Sequence, residues 1–268
     1  MREIKAVITD LDDTLLSPTK EISDEAVALI HKIKEMGVAF TFITGRPKYA
    51  VENFAKRVQI DEAIVSCNGG LIFKGEEILV KHSFKASKLR AVMEKANALD
   101  LTVLFYLDDV EYALKETSWV KVRKDAGRNF PIRTLTDSEW ETIEFEKLNI
   151  MADGLTEDFA KLIPDIEDLR KEFSIALYGH NGCEIVSKEV NKAVGMHELA
   201  KILGIKVEEI MAIGDNANDH EMLEQAGIGV AVGNAQPATK QYADYICKKP
   251  YTEGVIEAIE KFIIKRGE

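Results

Sequence analysis

Two carboxylates one residue apart mark the part of the sequence most suited to chemistry. Asp10 and Asp12 directly follow Ile4–Thr9, a short apolar segment that predicts a buried strand. Carboxylates held this close and away from water repel each other unless a cation offsets their charge, and hard oxygen ligands suit Mg²⁺. An aspartate can attack phosphorus, and a second carboxylate can transfer the proton. The alternative is a solvated turn after a strand.

Polar residues also follow two later predicted strands. Thr44 follows the strand predicted at Val38–Ile43, and Asp215, Asn218 and Asp219 follow a late strand. Ligands of open parallel sheets bind outside the carboxyl ends of the strands, so we expect these side chains to meet the first carboxylate pair at one edge of a sheet. Taken singly, each group is also compatible with an ordinary turn or helix N-cap.

Strands that alternate with helices predict the sheet that positions these residues. The apolar spacing in Ser23–Met36 predicts a helix with Ser23 as its N-cap. The alternation predicts a Rossmann-like parallel sheet with right-handed crossovers. Its other predicted elements are strands at Ala63–Ser66, Ile210–Ile213 and Ile228–Val232 and helices at Val190–Leu203, Ala238–Tyr242 and Val255–Ile264.

A block with a different pattern interrupts this alternation. We therefore predict an α/β protein in which residues 1–82 and 187–268 form a discontinuous core and residues 83–186 form an inserted α/β domain. The block shows no catalytic cluster, only scattered charges. Its predicted elements are strands at Thr102–Leu107, Lys147–Ala152 and Phe173–Leu177 and helices at Lys85–Leu99 and Leu155–Leu169.

The composition favours a soluble globular protein that does not bind nucleic acid. The chain has 268 residues, with 46 acidic and 35 basic side chains and a formal net charge of −11, whereas nucleic-acid binding normally requires a basic face. The three cysteines lie far apart, which argues against a disulfide framework or a zinc cluster. The sequence shows no membrane-length apolar run and no signal-peptide pattern, so we expect no membrane association and a cytoplasmic location.

Four short motifs resemble those of the haloacid dehalogenase (HAD) superfamily of phosphohydrolases. In order, they are Asp10-Leu11-Asp12-Asp13-Thr14-Leu15-Leu16, Ile43-Thr44-Gly45-Arg46, Asn191-Lys192-Ala193-Val194-Gly195 and Gly214-Asp215-Asn216-Ala217-Asn218-Asp219. Four motifs in the correct order are more specific than any one of them. The stretch from Gly214 to Ala235 resembles the Cof-type subfamily, and the inserted block matches that subfamily's C2-type cap domain.

The resemblance implies a role for each matched residue. Asp10 would be the nucleophile and a metal ligand. Asp12 would be the general acid and then the general base, with its backbone carbonyl on the metal. Thr44 would bind the phosphoryl oxygens, with the Gly45 backbone nearby. Lys192 would contact the phosphate and offset the negative charge on it and on Asp10.

The resemblance also implies the surroundings of the metal and the substrate. Asp215 and Asp219 would be ligands of Mg²⁺, and Asn218 would contact the phosphate. Arg46 would contact the substrate or the cap, or simply a carboxylate. Asn68 would contact the substrate, although Asn68-Gly69-Gly70 is otherwise typical of a tight turn before a hairpin.

Several positions remain open within this resemblance. Asp13 stands where the family usually has glycine, which either adds a negative charge near the site or points one to solvent. His180, Asn181 and Glu184, near the end of the inserted block, are candidates for substrate selection.

The resemblance implies a magnesium-dependent phosphatase that hydrolyses small phosphorylated metabolites, with sugar phosphates expected, through an aspartyl-phosphate. The cap would select the organic part of the substrate. A phosphomutase or phosphotransferase is the alternative within the superfamily, and a phospho-accepting signalling module is the alternative outside it. A dinucleotide-binding protein is disfavoured because no G-x-G-x-x-G follows the first strand. The expected partner is a small phosphorylated metabolite, and the oligomeric state stays open.

Overall fold

The computed structural model describes residues 3–154 and 157–265. In these residues the chain forms two compact units: unit 1 runs up to Val80 and resumes at Asn191, and unit 2 is Lys81–Val190. The elements, in chain order, are β1 (Ala6–Thr9), α1 (Asp24–Glu35), β2 (Ala39–Phe42), α2 (Glu52–Val58), β3 (Ile64–Ser66), β4 (Leu71–Lys74), β5 (Glu77–Lys81), β6 (Phe84–Lys85), α3 (Arg90–Ala98), β7 (Thr102–Leu107), β8 (Val110–Ala113), α4 (Ser118–Asp125), α5 (Asp137–Thr142), β9 (Glu144–Phe145), β10 (Lys147–Met151), α6 (Ile163–Leu169), β11 (Phe173–Leu177), β12 (Gly182–Ser187), α7 (Lys192–Leu203), β13 (Ile210–Gly214), α8 (His220–Gln225), β14 (Ile228–Ala231), β15 (Tyr245–Ile246) and α9 (Tyr251–Ile259).

Unit 1 is built on a five-stranded parallel sheet. The strand order is β15-β14-β13-β1-β2, and β1 pairs with β13 on one side and β2 on the other. All four residues of β1 are buried, as its continuous apolar sequence predicts for a central parallel strand. The carboxyl ends of β1 and β13 lie side by side, with Thr9 level with Ile213. The residues that follow these two strands are therefore brought together.

Helix α7 follows the inserted unit and starts next to the end of β1. Its N-cap is Asn191, whose side chain accepts a hydrogen bond from the backbone N–H of Val194 at 2.8 Å. Gly204 ends the helix in the left-handed region, at φ +67°, which glycine adopts without steric cost. The cap fixes the first helical residue, Lys192, whose side chain is wholly buried.

Unit 2 contains an antiparallel sheet with the strand order β11-β12-β10-β7-β8. Alternate side chains such as Phe105, Leu148 and Ile150 join the apolar residues of α3, α5 and α6 in one core. On the opposite face, Leu104 packs with Val120 of α4 and with other apolar side chains. Lys147 and Asn149 of β10 also point to that opposite face.

The structure confirms an α/β fold with a parallel-sheet core, but several predicted elements differ in detail. Ala63–Ser66 is strand β3, yet it pairs with β4 in a separate three-stranded sheet. An isolated bridge between Ile43 and Val65 sets it beside the end of β2. The helix predicted from Val190 begins at Lys192, because Asn191 is the cap. The helix predicted from Ala238 is a 3₁₀ turn, Thr239–Tyr242.

Other differences concern helix ends and the limits of the units. The helix predicted at Lys85–Leu99 is a 3₁₀ turn followed by α3. The helix predicted at Leu155–Leu169 has its first two residues outside the described part of the chain, and the rest contains a 3₁₀ turn and α6. The helix predicted from Val255 already starts at Tyr251. The units divide after residues 80 and 190, whereas the predicted boundaries follow residues 82 and 186.

In the described residues, no helix combines the length and the apolar composition that a membrane crossing requires.

Candidate active site

An ammonium group lies between two carboxylates at the end of the parallel sheet of unit 1. Asp10 immediately follows β1, and its backbone N–H donates to the carbonyl of Ile213 on β13 at 2.9 Å. The Lys192 Nζ lies 2.8 Å from Asp10 Oδ1 and donates to Asp219 Oδ1 at 2.7 Å. Because the Lys192 side chain has no exposed surface, these charges interact without screening by bulk water.

Asp215 and Asp219 complete the cluster from the end of β13. Asp215 Oδ1 accepts a hydrogen bond from Thr14 Oγ1 at 2.7 Å. Asp219 Oδ2 accepts from the backbone N–H groups of Asp215 and Asn216, at 2.9 and 3.0 Å. Asp219 is therefore held both by Lys192 and by the turn that carries Asp215.

Two glycines permit close approaches that the site requires. A Cβ on Gly214 would lie 2.5 Å from Asp219 Cγ, so Asp219 reaches back against the end of β13 only because residue 214 has no side chain. Gly69 has φ +102°, and a Cβ there would lie 2.4 Å from the carbonyl oxygen of Asn191. The turn that carries Asn68 and the start of α7 are thus fixed against each other.

The donor set fits a hard divalent cation. Asp10, Asp215 and Asp219 each offer one carboxylate oxygen, and these three atoms lie within 4.8 Å of one another. All three residues are buried. Three carboxylates against one ammonium leave two negative charges, which a divalent ion would balance. Oxygen ligands alone are typical of Mg²⁺ and not of zinc, which favours nitrogen and sulfur ligands.

The pKa values of the buried groups reflect the same excess of negative charge. Burial, together with the charges of Asp219 and Asp215, raises the pKa of Asp10 to about 7 against the opposing effect of Lys192. Burial also raises the pKa of Asp215 to about 6, with the Thr14 hydrogen bond opposing. Burial would lower the pKa of Lys192, but the charges of Asp10 and Asp219 outweigh it and raise the pKa. A bound cation would favour the ionised carboxylates.

Asp12 has different partners from Asp10. Arg46 donates to both of its oxygens, from Nε to Oδ2 and from Nη2 to Oδ1, each at 2.7 Å. Lys20 Nζ adds a contact of 2.9 Å to Oδ1. Burial alone would raise the pKa of Asp12, but the hydrogen bonds from Arg46 and Lys20 lower it to about 2. The structure thus holds Asp12 as a carboxylate.

The second motif, which contains Thr44 and Gly45, is in contact with the turn that carries Asn68. The carbonyl of Thr44, just beyond β2, accepts from the backbone N–H of Asn68 at 2.9 Å. Asn218 Nδ2 donates to Asn68 Oδ1 at 3.0 Å. A Cβ on Gly45 would lie 3.1 Å from Asn68 Nδ2. The turn holds Asn68 at φ +54°, a left-handed conformation in which asparagine is enriched.

Contacts within unit 1 link the predicted site residues into three groups. Asp10, Lys192, Asp215 and Asp219 form one connected charge cluster. Asp12 with Arg46 forms a second group, and Thr44, Gly45, Asn68 and Asn218 form a third. The backbone N–H of Arg46 joins these two groups, because it donates to Thr44 Oγ1 at 3.2 Å.

The family model for haloacid dehalogenase-like hydrolases matches residues 7–259. The chain belongs to this family. Among curated relatives of this HAD-type chain, the 5-amino-6-(5-phospho-D-ribitylamino)uracil phosphatase of Bacillus subtilis (strain 168) is 27% identical over 264 residues, 98% of this chain and 97% of the relative. A phosphoglycolate phosphatase of Methanobrevibacter smithii is 26% identical over 261 residues, 97% and 99% of the two chains.

A solved structure shows the same architecture. A haloacid dehalogenase-like hydrolase from Bacteroides thetaiotaomicron is similar with a TM-score of 0.81 and 29% identity, over 97% of this chain and 99% of that one. The comparisons confirm the HAD resemblance of Cof type and the parallel-sheet fold with an inserted cap domain. They also identify the HAD-type chain as a phosphoric monoester hydrolase.

Sequence analysis did not assign two residues that contact the site. Thr14 lies within the first HAD motif, and the motif itself was a signal for its hydrogen bond to Asp215. Lys20 lies in a turn eight residues beyond Asp12. Its sequence context is that of an ordinary exposed lysine, so no pattern indicated its contact with Asp12.

Proposed function

We propose that this HAD phosphatase hydrolyses small phosphorylated metabolites, sugar phosphates among them, with Asp10 as the nucleophile and Mg²⁺ as the cofactor. The observation that carries the proposal is the buried Lys192 ammonium between Asp10 and Asp219, with Asp215 completing three convergent carboxylates. Phosphoryl transfer depends chiefly on positioning and on neutralising charge, and this cluster supplies both.

The reaction has two steps in this proposal. Asp10 attacks phosphorus, the bond from phosphorus to the leaving oxygen breaks, and Asp12, which first takes up a proton in place of its contacts with Arg46 and Lys20, gives that oxygen the proton. Water then attacks the phosphorus of the aspartyl-phosphate and gives a proton to Asp12, while the bond to Asp10 breaks and inorganic phosphate is formed. The ion pairs of Asp12 with Arg46 and Lys20 favour the carboxylate form that accepts the proton in this second step.

The other residues bind and orient in this proposal. Lys192 keeps Asp10 close to the phosphoryl group and offsets its charge. Thr44 and Asn218 contact the phosphoryl oxygens, and the Asn68 turn positions both residues. Arg46 contacts Asp12 here, so its predicted contact with the substrate stays a prediction.

Four residues would hold the metal ion. These are Asp10, Asp215 and Asp219 through their carboxylates and Asp12 through its backbone carbonyl. When bound, Mg²⁺ would neutralise negative charge on the carboxylates and on the phosphoryl group.

Removal of the nucleophile tests the proposal. We expect Asp10→Asn to lower the hydrolysis of p-nitrophenyl phosphate by at least about a thousandfold, since the covalent step needs a carboxylate. The matched control is Asp61→Asn, which changes an exposed carboxylate of unit 1 paired with Lys34. It should retain wild-type turnover. Circular dichroism would check that both variants fold.

Product analysis separates hydrolysis from transfer. Inorganic phosphate released without an added acceptor supports hydrolysis, whereas product that appears only with a sugar acceptor supports a phosphotransferase. Undiminished turnover by Asp10→Asn, with contaminating phosphatase excluded, contradicts the assigned nucleophile.

A further inference from the structure

Two backbone positions of unit 1 in the left-handed region are held by the same side chain. Asp13, in the loop after β1, has φ +57°, and Tyr251, at the start of α9, has φ +49°. Residues other than glycine enter this region at a cost, and they stay there where the surrounding structure holds them. Such positions cluster at functional sites, so the group that holds them can serve the reaction.

The side-chain amide of Asn234 contacts both positions. Its Nδ2 donates to the carbonyl of Asp13 at 2.7 Å, and its Oδ1 accepts from the backbone N–H of Tyr251 at 2.7 Å. A carbonyl only accepts and an N–H only donates, so a single orientation of the amide satisfies both partners. The amide therefore joins the loop after β1 to the start of α9.

The residues that follow Asp13 in this loop are held as well. Thr14 Oγ1 donates to Asp215 Oδ1 at 2.7 Å, and the carbonyl of Leu15 accepts from the Thr252 hydroxyl of α9. Three consecutive residues of the loop are thus fixed by three different partners. The middle contact reaches a carboxylate of the charge cluster, so the conformation of the loop bears directly on the site.

The conformation of Asp13 also determines the direction of the carbonyl before it. The Asp12 carbonyl belongs to the rigid peptide unit that turns with φ of Asp13. A change of Asp13 to the right-handed region would redirect this carbonyl relative to Thr14, and hence relative to Asp215. Both groups of the loop that the proposed mechanism places near the metal therefore depend on one backbone angle.

The segment that carries Asn234 is itself tied to the other side of the site. The backbone N–H of Gln236, two residues further along, donates to the carbonyl of Asp215 at 2.9 Å. The hydrogen bond from Asn234 to Asp13 therefore sets the loop after β1 against the same backbone that carries Asp215.

We propose that Asn234 is a positioning residue of the phosphatase site, which holds Asp13 in its left-handed conformation and so aligns Asp12 and Thr14 with Asp215. The inference rests on the proposed function. A purely stabilising role makes a different prediction: loss of the Asn234 amide would then lower the melting temperature and leave kcat and the affinity for Mg²⁺ unchanged.

Kinetics of the full-length enzyme with Mg²⁺ separate the two roles. We would measure kcat and KM for p-nitrophenyl phosphate in Asn234→Ala, which removes both hydrogen bonds, and in Asn234→Asp. The second variant keeps an acceptor for Tyr251 but sets a carboxylate oxygen against the Asp13 carbonyl. An aspartate disfavours the left-handed region by about fivefold in population, so we expect kcat to fall by about fivefold in Asn234→Ala and by more in Asn234→Asp.

Asn53 provides the matched controls. It lies at an exposed position of α2, and Asn53→Ala and Asn53→Asp make the same chemical changes as the two test variants. Both controls should keep the kcat and KM of the wild type.

Glycine at residue 13 gives the sharpest test. It adopts the left-handed region about as readily as the right-handed one, so Asp13→Gly removes the need for a group that holds this conformation. We expect Asp13→Gly combined with Asn234→Ala to have a kcat within about twofold of Asp13→Gly alone. A contact that only stabilises the fold predicts no such dependence of kcat on residue 13.

Metal binding gives a readout that needs no turnover. Calorimetry with Mg²⁺ alone would give a dissociation constant for each variant. We expect Asn234→Ala to raise this constant by about fivefold, because a smaller fraction of the chains then holds the binding-competent loop. Asn53→Ala should leave the constant unchanged.

Two results would overturn the proposal. One is a kcat and a Mg²⁺ dissociation constant within about twofold of wild type in both Asn234→Ala and Asn234→Asp, whatever their melting temperatures. The other is a loss of kcat from Asn234→Ala that is just as large in the Asp13→Gly background. A wild-type enzyme that releases no phosphate instead overturns the proposed function, and the Mg²⁺ dissociation constants still decide the role of Asn234.

Discussion

A buried lysine in unit 1 and an exposed lysine in unit 2 form ion pairs of similar length, but burial gives the two pairs different energetic weight. Lys192 of unit 1 is wholly buried and contacts Asp10 and Asp219 at 2.8 and 2.7 Å. Lys95 of unit 2 contacts Asp165 at 2.6 Å, with its side chain 44% exposed. A buried charge without a partner is costly, whereas an exposed pair is screened by water and contributes little. Contact distance alone therefore does not reveal which charges matter.

The largest expected effect comes from removing each of these lysines in turn. We expect Lys192→Met to lower the free energy of unfolding by about 3 kcal/mol or more, because it leaves buried carboxylates unpaired. Lys95→Met should change it by no more than about 1 kcal/mol. Urea denaturation of both variants at mildly alkaline pH, where Asp10 ionises, makes the measurement.

Equal losses in the two variants would break this comparison. A charge-preserving control, Lys95→Arg, should match wild type. If Lys192→Met proved as stable as Lys95→Met, the carboxylates around residue 192 would have to be neutral or otherwise paired. Lys192 would then not be needed to offset their charge.

The second prediction concerns how pH and metal act together on unit 1. The pKa values of Asp10 and Asp215, about 7 and about 6, lie above the usual value of 3.8. Between pH 3.8 and about 7, these two carboxyl groups hold protons in the folded chain and release them in the unfolded chain. Their contribution to the free energy of unfolding therefore falls as the pH rises through this range. A metal ion replaces the protons. The increase in melting temperature with saturating Mg²⁺ should therefore be larger near pH 8 than near pH 5, by about 3 °C.

One variant in each unit can test whether the carboxylate cluster of unit 1 causes the magnesium-dependent increase in melting temperature. Asp215→Asn should abolish most of the magnesium-dependent increase, because it removes one of the three convergent carboxylates. Asp165→Asn, which changes an exposed carboxylate of unit 2, should leave it intact. An increase of the same size at both pH values would show that the metal binds elsewhere or that these carboxylates are already ionised.

The two units also differ in how far the sequence predicted them. In unit 1, buried parallel strands are continuous apolar runs, and the residues just after them are polar, so β1 and β13 and the site at their ends were accessible to pattern analysis. In unit 2, β12 contains Glu184 among apolar residues, and β8 contains Glu111. These buried polar residues interrupt the apolar pattern of both strands, so neither strand was predicted.

The partners of Asp12 show where sequence analysis of the site ends. The motif pattern selected Asp12 and Arg46, and it indicated that both lie near the site. It did not indicate that Arg46 holds both oxygens of Asp12, or that Lys20 joins them, since these contacts depend on how a turn and a strand end meet in space. The family pattern therefore predicts which residues belong to the site, whereas the contacts between them can be read only from the folded structure.

The smallest expected effect concerns Asp13, where the family usually has glycine. Its side chain is 57% exposed, with Lys20 Nζ 4.0 Å away, so the structure points the extra charge towards solvent. Its carbonyl accepts from Asn234 Nδ2 at 2.7 Å, and its φ of +57° suits glycine. We expect Asp13→Gly to change kcat/KM by less than about twofold at physiological salt, because an exposed charge is screened. Measurement of kcat/KM at low and physiological salt checks this.

The same variant sharpens the distinction between a charge held by strong ion pairs and a charge directed to solvent within a single turn. Asp12 and Asp13 are adjacent, yet Asp12 is held by Arg46 and Lys20 while Asp13 extends into water. Any gain for Asp13→Gly should appear at low salt and shrink as salt is added, since it reflects weaker long-range repulsion of an anionic substrate. A tenfold change that persists at high salt would mean that the Asp13 carboxylate contacts the phosphoryl group or its metal directly, and the exposed side chain would then have to turn inward when the substrate binds.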